Sequence, residues 1–481
     1  MSTENGTFDV IVIGSGVVGL SIADALGGAG VSTLCIGQVG DSASMATSAA
    51  GAMLGAFGEV TASAVSAVDL VELDTRVTAA RSYPAFIDKL RDITGIVVPN
   101  GDGTIVIANM TNGHDRRNLA AIQASAQRYG TEAESVDPVD VPGLRPADGY
   151  EVVEALFLSS EGWVDTRELL NALRKSVLTS ASSHLLTANV RRLRQAGGRV
   201  TGVELENDLV LSAGTVVVAA GAGTQRILRQ LENSMLNVPP LLICKGVGIR
   251  VTGAREVFPY AVRTPNRDFS CGTHLIPFGN GRLYLGATNR MTSPEGSGTA
   301  ATIGEISAIV HSALHEINAG LSLCDFADAS YGLRSLSSDR YPVVGATAVP
   351  GLMVAAGTYR NGVLLAPIVA DFVKSEILES GSVCHNPFRP NADFRSSPVV
   401  EQHSATLKNG VGDLVSYILH PDKRLSHNKK NELCNFLSML MRVALLGEEV
   451  EEVQQAREVL EKYPVAETIP YLFNELSRRS D

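Results

Sequence analysis

The stretch FDVIVIGSGVVGLSIADALGGAGVSTLCIG, Phe8 to Gly37, decides the fold. An apolar run, Val10 to Ile13, stops at Gly14, and further glycines follow at 16 and 19. Apolar residues then recur at helical spacing, and a second apolar run covers Thr33 to Ile36. This is the strand, turn, helix and strand in which a GxGxxG pattern carries meaning. The first two glycines permit a tight turn and let a pyrophosphate approach backbone N–H groups at a helix N-terminus. Gly19 lets that helix lie close on the strand. The pattern predicts a dinucleotide site at Gly14, Gly16 and Gly19, with a purely structural glycine turn as the alternative. One element is missing. The second strand should end in an acid for the ribose hydroxyls, but the chain reads Ile36-Gly37-Gln38. Gln38 can donate and accept hydrogen bonds to a ribose without the charge-assisted strength of a carboxylate. That weakens the case for NAD and leaves FAD open, because FAD has many other contacts.

Working outward, 481 residues exceed one simple core and predict two or three structural units. A net charge of -11 argues against a nucleic-acid binder, which would present a basic field. Six scattered cysteines without a CxxC pair argue against a disulfide framework or a zinc site. The start, MSTENGTFDV, has no basic segment followed by an apolar one, and no run of about 18 apolar residues occurs later. These features predict a soluble cytoplasmic protein without a membrane segment.

Four further groups of residues bear on the cofactor and the chemistry. They are TSAAGAMLGAFGE (Thr47 to Glu59), TVVVAAGAGT (Thr215 to Thr224), GRLYLGATNR (Gly281 to Arg290), and the pair SYGLRSLSSDRYPVVG (Ser330 to Gly345) and GTYRNGVLLAP (Gly357 to Pro367). In this order they resemble the FAD-dependent D-amino-acid oxidase superfamily, and within it the glycine oxidase branch. The resemblance covers about residues 8 to 395. It implies an α/β fold: an FAD-binding Rossmann-like domain interleaved with a mixed-sheet substrate domain. The cofactor segments are expected near 8–95, 150–235 and 330–390, and the substrate segments near 96–149 and 236–329. It also implies FAD contacts from Val17, Val18, Ala46, Thr47, Ser48, Gly51, Ala52 and Met53, and from Val190 beside the adenine. Arg360, Asn361, Gly362, Val363, Leu364 and Leu365 are expected against the flavin. A helix N-terminus there would stabilise negative charge on reduced flavin. Pro367 is tolerable if that helix begins within the preceding few residues, where N–H groups are free.

Arg360 stands in an apolar, glycine-punctuated stretch, and a guanidinium there needs an anion. By the resemblance, Arg334 clamps a substrate carboxylate and Arg360 lies close to both substrate and flavin. A planar guanidinium can take both carboxylate oxygens at once and so fixes orientation as well as charge. The alternative for each is an ion pair with a structural Asp or Glu. The implied reaction oxidises the C–N bond of a small amino acid or an N-substituted glycine-like amine. It forms an imine by hydride transfer to flavin, with oxygen as acceptor. The amine must then be neutral, and no protein base need attack Cα. A dehydrogenase passing electrons to a carrier, and a scaffold of the same fold without catalysis, are the alternatives.

Two positions depart from the glycine oxidase pattern. His274 stands where a tyrosine is expected, and Asn289 where a methionine is. Both are expected at the substrate, and His274 is expected either to titrate near neutral pH, taking a proton from the amine, or to bond a neighbouring strand. His311 and His315 are one helical turn apart but lack the Glu of HExxH, which reads as a solvated helix face and not a metal site. Cys271 and Cys324 are conceivable points of covalent flavin attachment, though free buried cysteines are common. Trp163 reads as structural and Asp165 as the cap of the following helix. After a proline-punctuated linker, residues 400–481 carry helical periodicity (Leu433, Phe436, Leu437, Leu440; Val450, Val453, Ala456; Ile469, Leu472, Phe473, Leu476). They predict a small helical bundle, either a packing appendage or a surface for a second copy or another protein.

Overall fold

The computed structural model describes residues 6–38, 45–64, 66–110, 113–231, 236–267, 271–292, 300–378 and 385–396. The predicted helical extension, with Cys384 and Cys434, lies outside the described residues.

The opening stretch folds as its pattern dictates. Strand β1 (Thr7–Ile13) pairs in parallel with β2 (Thr33–Gly37) on one side and with Val210–Val218 on the other. Its residues alternate between two cores. Val10 and Val12 join one apolar cluster, and Ile11 and Ile13 join another across the sheet. Burial on both faces is the reason the run is apolar without a break. Helix α1 (Val17–Gly28) packs on the first face beside the helices Thr166–Thr179 and Gly362–Ile377. The packing is close: a Cβ on Gly19 would lie 1.9 Å from the Gly14 carbonyl oxygen, and Gly14 itself has φ +122°. Among the described residues this sheet has eight strands. The main path runs Val343–Ala346, Leu352–Ala356, Val210–Val218, β1, β2, Ser183–Thr187, and the hairpin Val190–Ala196/Arg199–Leu205 joins Val210–Val218.

A second sheet, nine-stranded among the described residues, is mixed: Ala261–Arg263 runs parallel to Asn100–Asn109, and the other pairings described are antiparallel. Its longest pair joins Leu241–Thr252 to Asp325–Ser337, with Cys244 opposite Arg334. The α/β class with two interleaved sheets therefore matches the expectation. Sheet membership divides two segments differently: Val152–Val164 and Asp325–Ser337 both lie in the second sheet. Hence Arg334 stands on the second sheet while Arg360 follows a strand of the first.

The sheets meet where the site forms. Single bridges join Met45 to Leu333, Met53 to Trp163 and Leu336 to Thr358. Gly332 permits this approach, since a Cβ there would lie 2.8 Å from Ala46 Cα. Trp163 is buried and meets Phe278 edge-on at 5.2 Å. The Asp165 side chain accepts from Arg167 N at 2.9 Å and Glu168 N at 3.2 Å, capping the helix as predicted. Pro367 differs from expectation. The helix starts at Gly362, so Pro367 sits in its second turn and removes the helical bond that the Val363 carbonyl would accept. No helix among the described residues is long and apolar enough to cross a membrane.

Candidate functional site

The cofactor end begins at the N-terminus of α1. Its cap is Gly16, which offers no side chain, and a Cβ there would meet only Thr47 Oγ1 at 3.6 Å. Val17 N donates to Thr47 Oγ1 at 3.3 Å, which ties the short helix Ala46–Ala49 after β2 to the turn. On that helix the Ser48 hydroxyl is buried without a hydrogen-bond partner. A buried hydroxyl left unpaired costs free energy unless a ligand takes it. Gly51 lies beneath the Tyr284 ring, and Ala52 holds φ +51°. Across the sheet, Gln38 Nε2 donates to Asn189 Oδ1 at 2.7 Å, which sets the end of β2 beside buried Val190. The helix Gly362–Ile377 also starts without a side-chain cap at Asn361, whose own amide donates to Glu72. Its first N–H groups have no acceptor within the helix, as at any helix N-terminus. Two uncapped helix starts and an unpaired hydroxyl on one surface are donors that fit a ligand rich in acceptors, as FAD is.

Arg334 reaches this surface from the second sheet. Its Nη1 donates to Thr288 O at 3.0 Å and to Asn289 Oδ1 at 3.1 Å. The guanidinium rests on Gly246, where a Cβ would lie 2.1 to 2.2 Å from its atoms. No acidic side chain among the described residues pairs with it. Asn289 is buried, and its amide also donates to the Tyr359 hydroxyl. Sequence reading placed Asn289 at the substrate; here it braces Arg334.

Arg360 is held differently. Its Nε lies 3.2 Å from Glu59 Oε2, its Nη1 is 3.6 Å from Cys271 Sγ, and it lies over the Tyr359 ring at 5.0 Å. Burial by itself would lower the Arg360 pKa, but Glu59 and its neighbours raise it on balance, so the charge stays. Glu59 is also gripped by Arg263 at 2.7 Å and by the Asn266 amide at 2.9 Å. Burial would raise the Glu59 pKa, yet Arg360 and Arg263 hold it well below the usual carboxylate range. The structural partner weighed for Arg360 is therefore present, and it is Glu59.

His274 begins the strand His274–Pro277. Its Nδ1 is 3.1 Å from Gly272 O, and its ring stacks on Tyr284 at 5.7 Å. Burial first, and Arg263 second, lower its pKa from 6.5 to about 4. Titration near neutral pH is thus corrected: at pH 7 the imidazole is neutral because the surroundings disfavour a second positive charge. The unfolded chain binds the proton below about 6.5 and the folded one only below about 4. Its stabilising contribution is therefore complete above about 6.5 and declines as pH falls towards about 4. His274→Gln is expected to flatten the dependence of Tm on pH across that window, measured by thermal unfolding; an unchanged slope would count against it.

The His311 and His315 rings stack at 3.9 Å, and no group of three or more His, Cys, Asp or Glu placed to hold a metal occurs among the described residues. Cys271 faces Arg360, while Cys324 lies towards Glu256 and Asp325. Sequence reasoning missed Glu59, Arg263, Asn266 and Tyr359. Glu59 ends one of the quoted motifs and Tyr359 precedes Arg360, so proximity to a motif was the available signal. Nothing local marks Arg263 or Asn266, which arrive through tertiary contact.

Residues 9–375 match the model of the family described as FAD dependent oxidoreductase. The chain belongs to that family. A bifunctional ThiO/ThiG protein of Synechocystis sp. is 26% identical over 379 residues, covering 78% of this chain and 52% of that one. The chain thus spans about half the length of that relative. A glycine oxidase of Bacillus licheniformis is 25% identical over 375 residues, covering 77% of this chain and 93% of that one. The crystal structure of glycine oxidase from Geobacillus kaustophilus matches with a TM-score of 0.69 at 23% identity, covering 80% and 99%. As a member of this family of oxidoreductases, the chain uses FAD, in agreement with the donor-rich surface described above.

Proposed function

We propose that this oxidoreductase oxidises the C–N bond of a small amino acid or N-substituted glycine to the imine, with oxygen as acceptor, in the cytoplasm. The observation that carries the proposal is Arg334: a braced guanidinium without an acidic partner among the described residues, at the junction of the two sheets. With Nη1 committed to Thr288 and Asn289, Nε and Nη2 remain for a carboxylate taken side-on. Glycine-like amines suit it because they carry that carboxylate one carbon from the nitrogen. Gly14, Gly16, Val17, Val18, Gly19, Gln38, Ala46, Thr47, Ser48, Gly51, Ala52, Met53 and Val190 would hold the FAD. The helix start Asn361 to Leu365 would meet its flavin. Bound FAD supplies the hydride acceptor. The chain supplies orientation and charge: Arg334 fixes the substrate, and neutral His274 adds no competing positive charge. We assign the first sheet to the cofactor and the second to the substrate.

The test presents glycine, sarcosine, D-amino acids and N-modified glycines to the purified protein. The flavin band should bleach with at least one, with hydrogen peroxide released in air. Bleaching without oxygen uptake, together with dye reduction, would replace oxygen by an electron carrier. No bleaching with any of them would remove the amine substrate.

A further inference from the structure

Glu59 is held on every side. Its Oε1 meets Arg263 Nη1, and its Oε2 meets both Arg360 Nε and Asn266 Nδ2. Arg263 is structural: it is 2% exposed, and its other nitrogens donate to Asn266 Oδ1 at 2.7 Å and Thr264 O at 3.1 Å. The backbone leading to Glu59 is pinned from below, because Glu161 Oε1 accepts from Phe57 N and Gly58 N. A Cβ on Gly58 would lie 2.9 Å from Glu161 Oε2, so a side chain there would push on the carboxylate that holds this backbone. The Glu59 carboxylate is thus built in place against Arg360. Arg360 is linked in turn to Arg334, because Asn289 accepts from Arg334 and donates to the Tyr359 hydroxyl, and Arg360 lies over the Tyr359 ring.

We propose that Glu59 is a specificity-determining residue: it neutralises Arg360 within the protein and so confines the site to amines with one carboxylate. This rests on the amine-oxidase reading. With its first carboxylate on Arg334, a dicarboxylic amine would bring its second towards the Glu59–Arg360 pair. There it finds the Arg360 guanidinium already engaged by Glu59 and meets that fixed carboxylate. Like-charge juxtaposition of this kind discriminates between ligands without weakening the preferred one.

The experiment compares iminodiacetate with sarcosine, which differ by one carboxylate. Glu59→Gln removes the negative charge and exposes Arg360, so the ratio of kcat/KM for iminodiacetate over sarcosine is expected to rise about tenfold or more. The double variant Glu59→Gln/Arg360→Gln should bring that ratio back near its original value. A rise that persists in the double variant would overturn the role of Arg360, and no rise would overturn the role of Glu59. Should Glu59→Gln fail to fold, Arg360→Gln alone serves, since it leaves Glu59 less opposed and should lower the ratio; an unchanged ratio there would overturn the proposal. Dissociation constants of malonate and acetate for the FAD-loaded protein give a readout independent of turnover, with malonate gaining selectively in Glu59→Gln. That readout keeps the inference testable if no amine is oxidised, an outcome that removes the amine-oxidase reading alone.

Discussion

Arg334→Ala is expected to lower kcat/KM by about 10²-fold or more, measured by steady-state kinetics on whichever amine bleaches the flavin. The basis is the charge balance at the junction of the sheets. Arg334 keeps Nε and Nη2 uncommitted and its charge unpaired by acid among the described residues. A carboxylate delivered there without the guanidinium is stranded, and breaking such a pair costs roughly 3–5 kcal/mol. Part of the loss should fall on kcat, because a substrate held by one oxygen or none loses alignment as well as affinity. The alanine variant also frees Thr288 O and Asn289 Oδ1 from their donor. Arg334→Lys separates the two effects: it keeps a positive charge but not the planar fork, and should fall between wild type and alanine. Near-normal kinetics for the alanine variant would remove the carboxylate role, and the site would need another anchor.

Legibility in the sequence followed the range of the interactions. The Phe8 to Gly37 unit was readable because its determinants are local: an unbroken apolar strand, three glycines and a second strand. Asp165 was readable for the same reason, since a cap acts on its own next turn. Arg334 was legible only through the family resemblance of the segment around it, and what braces it was not legible at all. Gly246 and Asn289 become its neighbours through pairing of Leu241–Thr252 with Asp325–Ser337 and a loop some 45 residues upstream. The state of His274 lay further out of reach. Its depressed pKa arises from burial and from Arg263, neither visible in a linear pattern. Arg360 is the instructive case. The apolar stretch correctly demanded an anion, and both a substrate carboxylate and an internal acid met that demand. Only packing could choose Glu59, 301 positions earlier in the chain.

The missing acid at the end of β2 gives the second large effect. Restoring it with Gly37→Glu is expected to weaken FAD binding roughly 10- to 100-fold, as overpacking a filled site costs about 1–3 kcal/mol. A Cβ on Gly37 would lie 2.5 Å from Ser15 Oγ and 2.6 Å from Ser15 N. The hydroxyl cannot simply swing away, because it donates to Gln38 O at 2.6 Å. Nor can the backbone retreat, since a Cβ on neighbouring Gly14 would already lie 2.2 Å from Ala219 O. Ser15 within the glycine turn therefore occupies the volume that a side chain at 37 needs. The absence of the acid follows from that packing, and Gln38 stands next in line for the ribose. Titrating apoprotein with FAD measures the effect, and Gly37→Ala provides the decisive comparison. Because the Cβ alone makes the collision, alanine should lose most of what glutamate loses. If alanine binds FAD normally and glutamate binds it more tightly, the volume is open and the steric account of Gly37 fails.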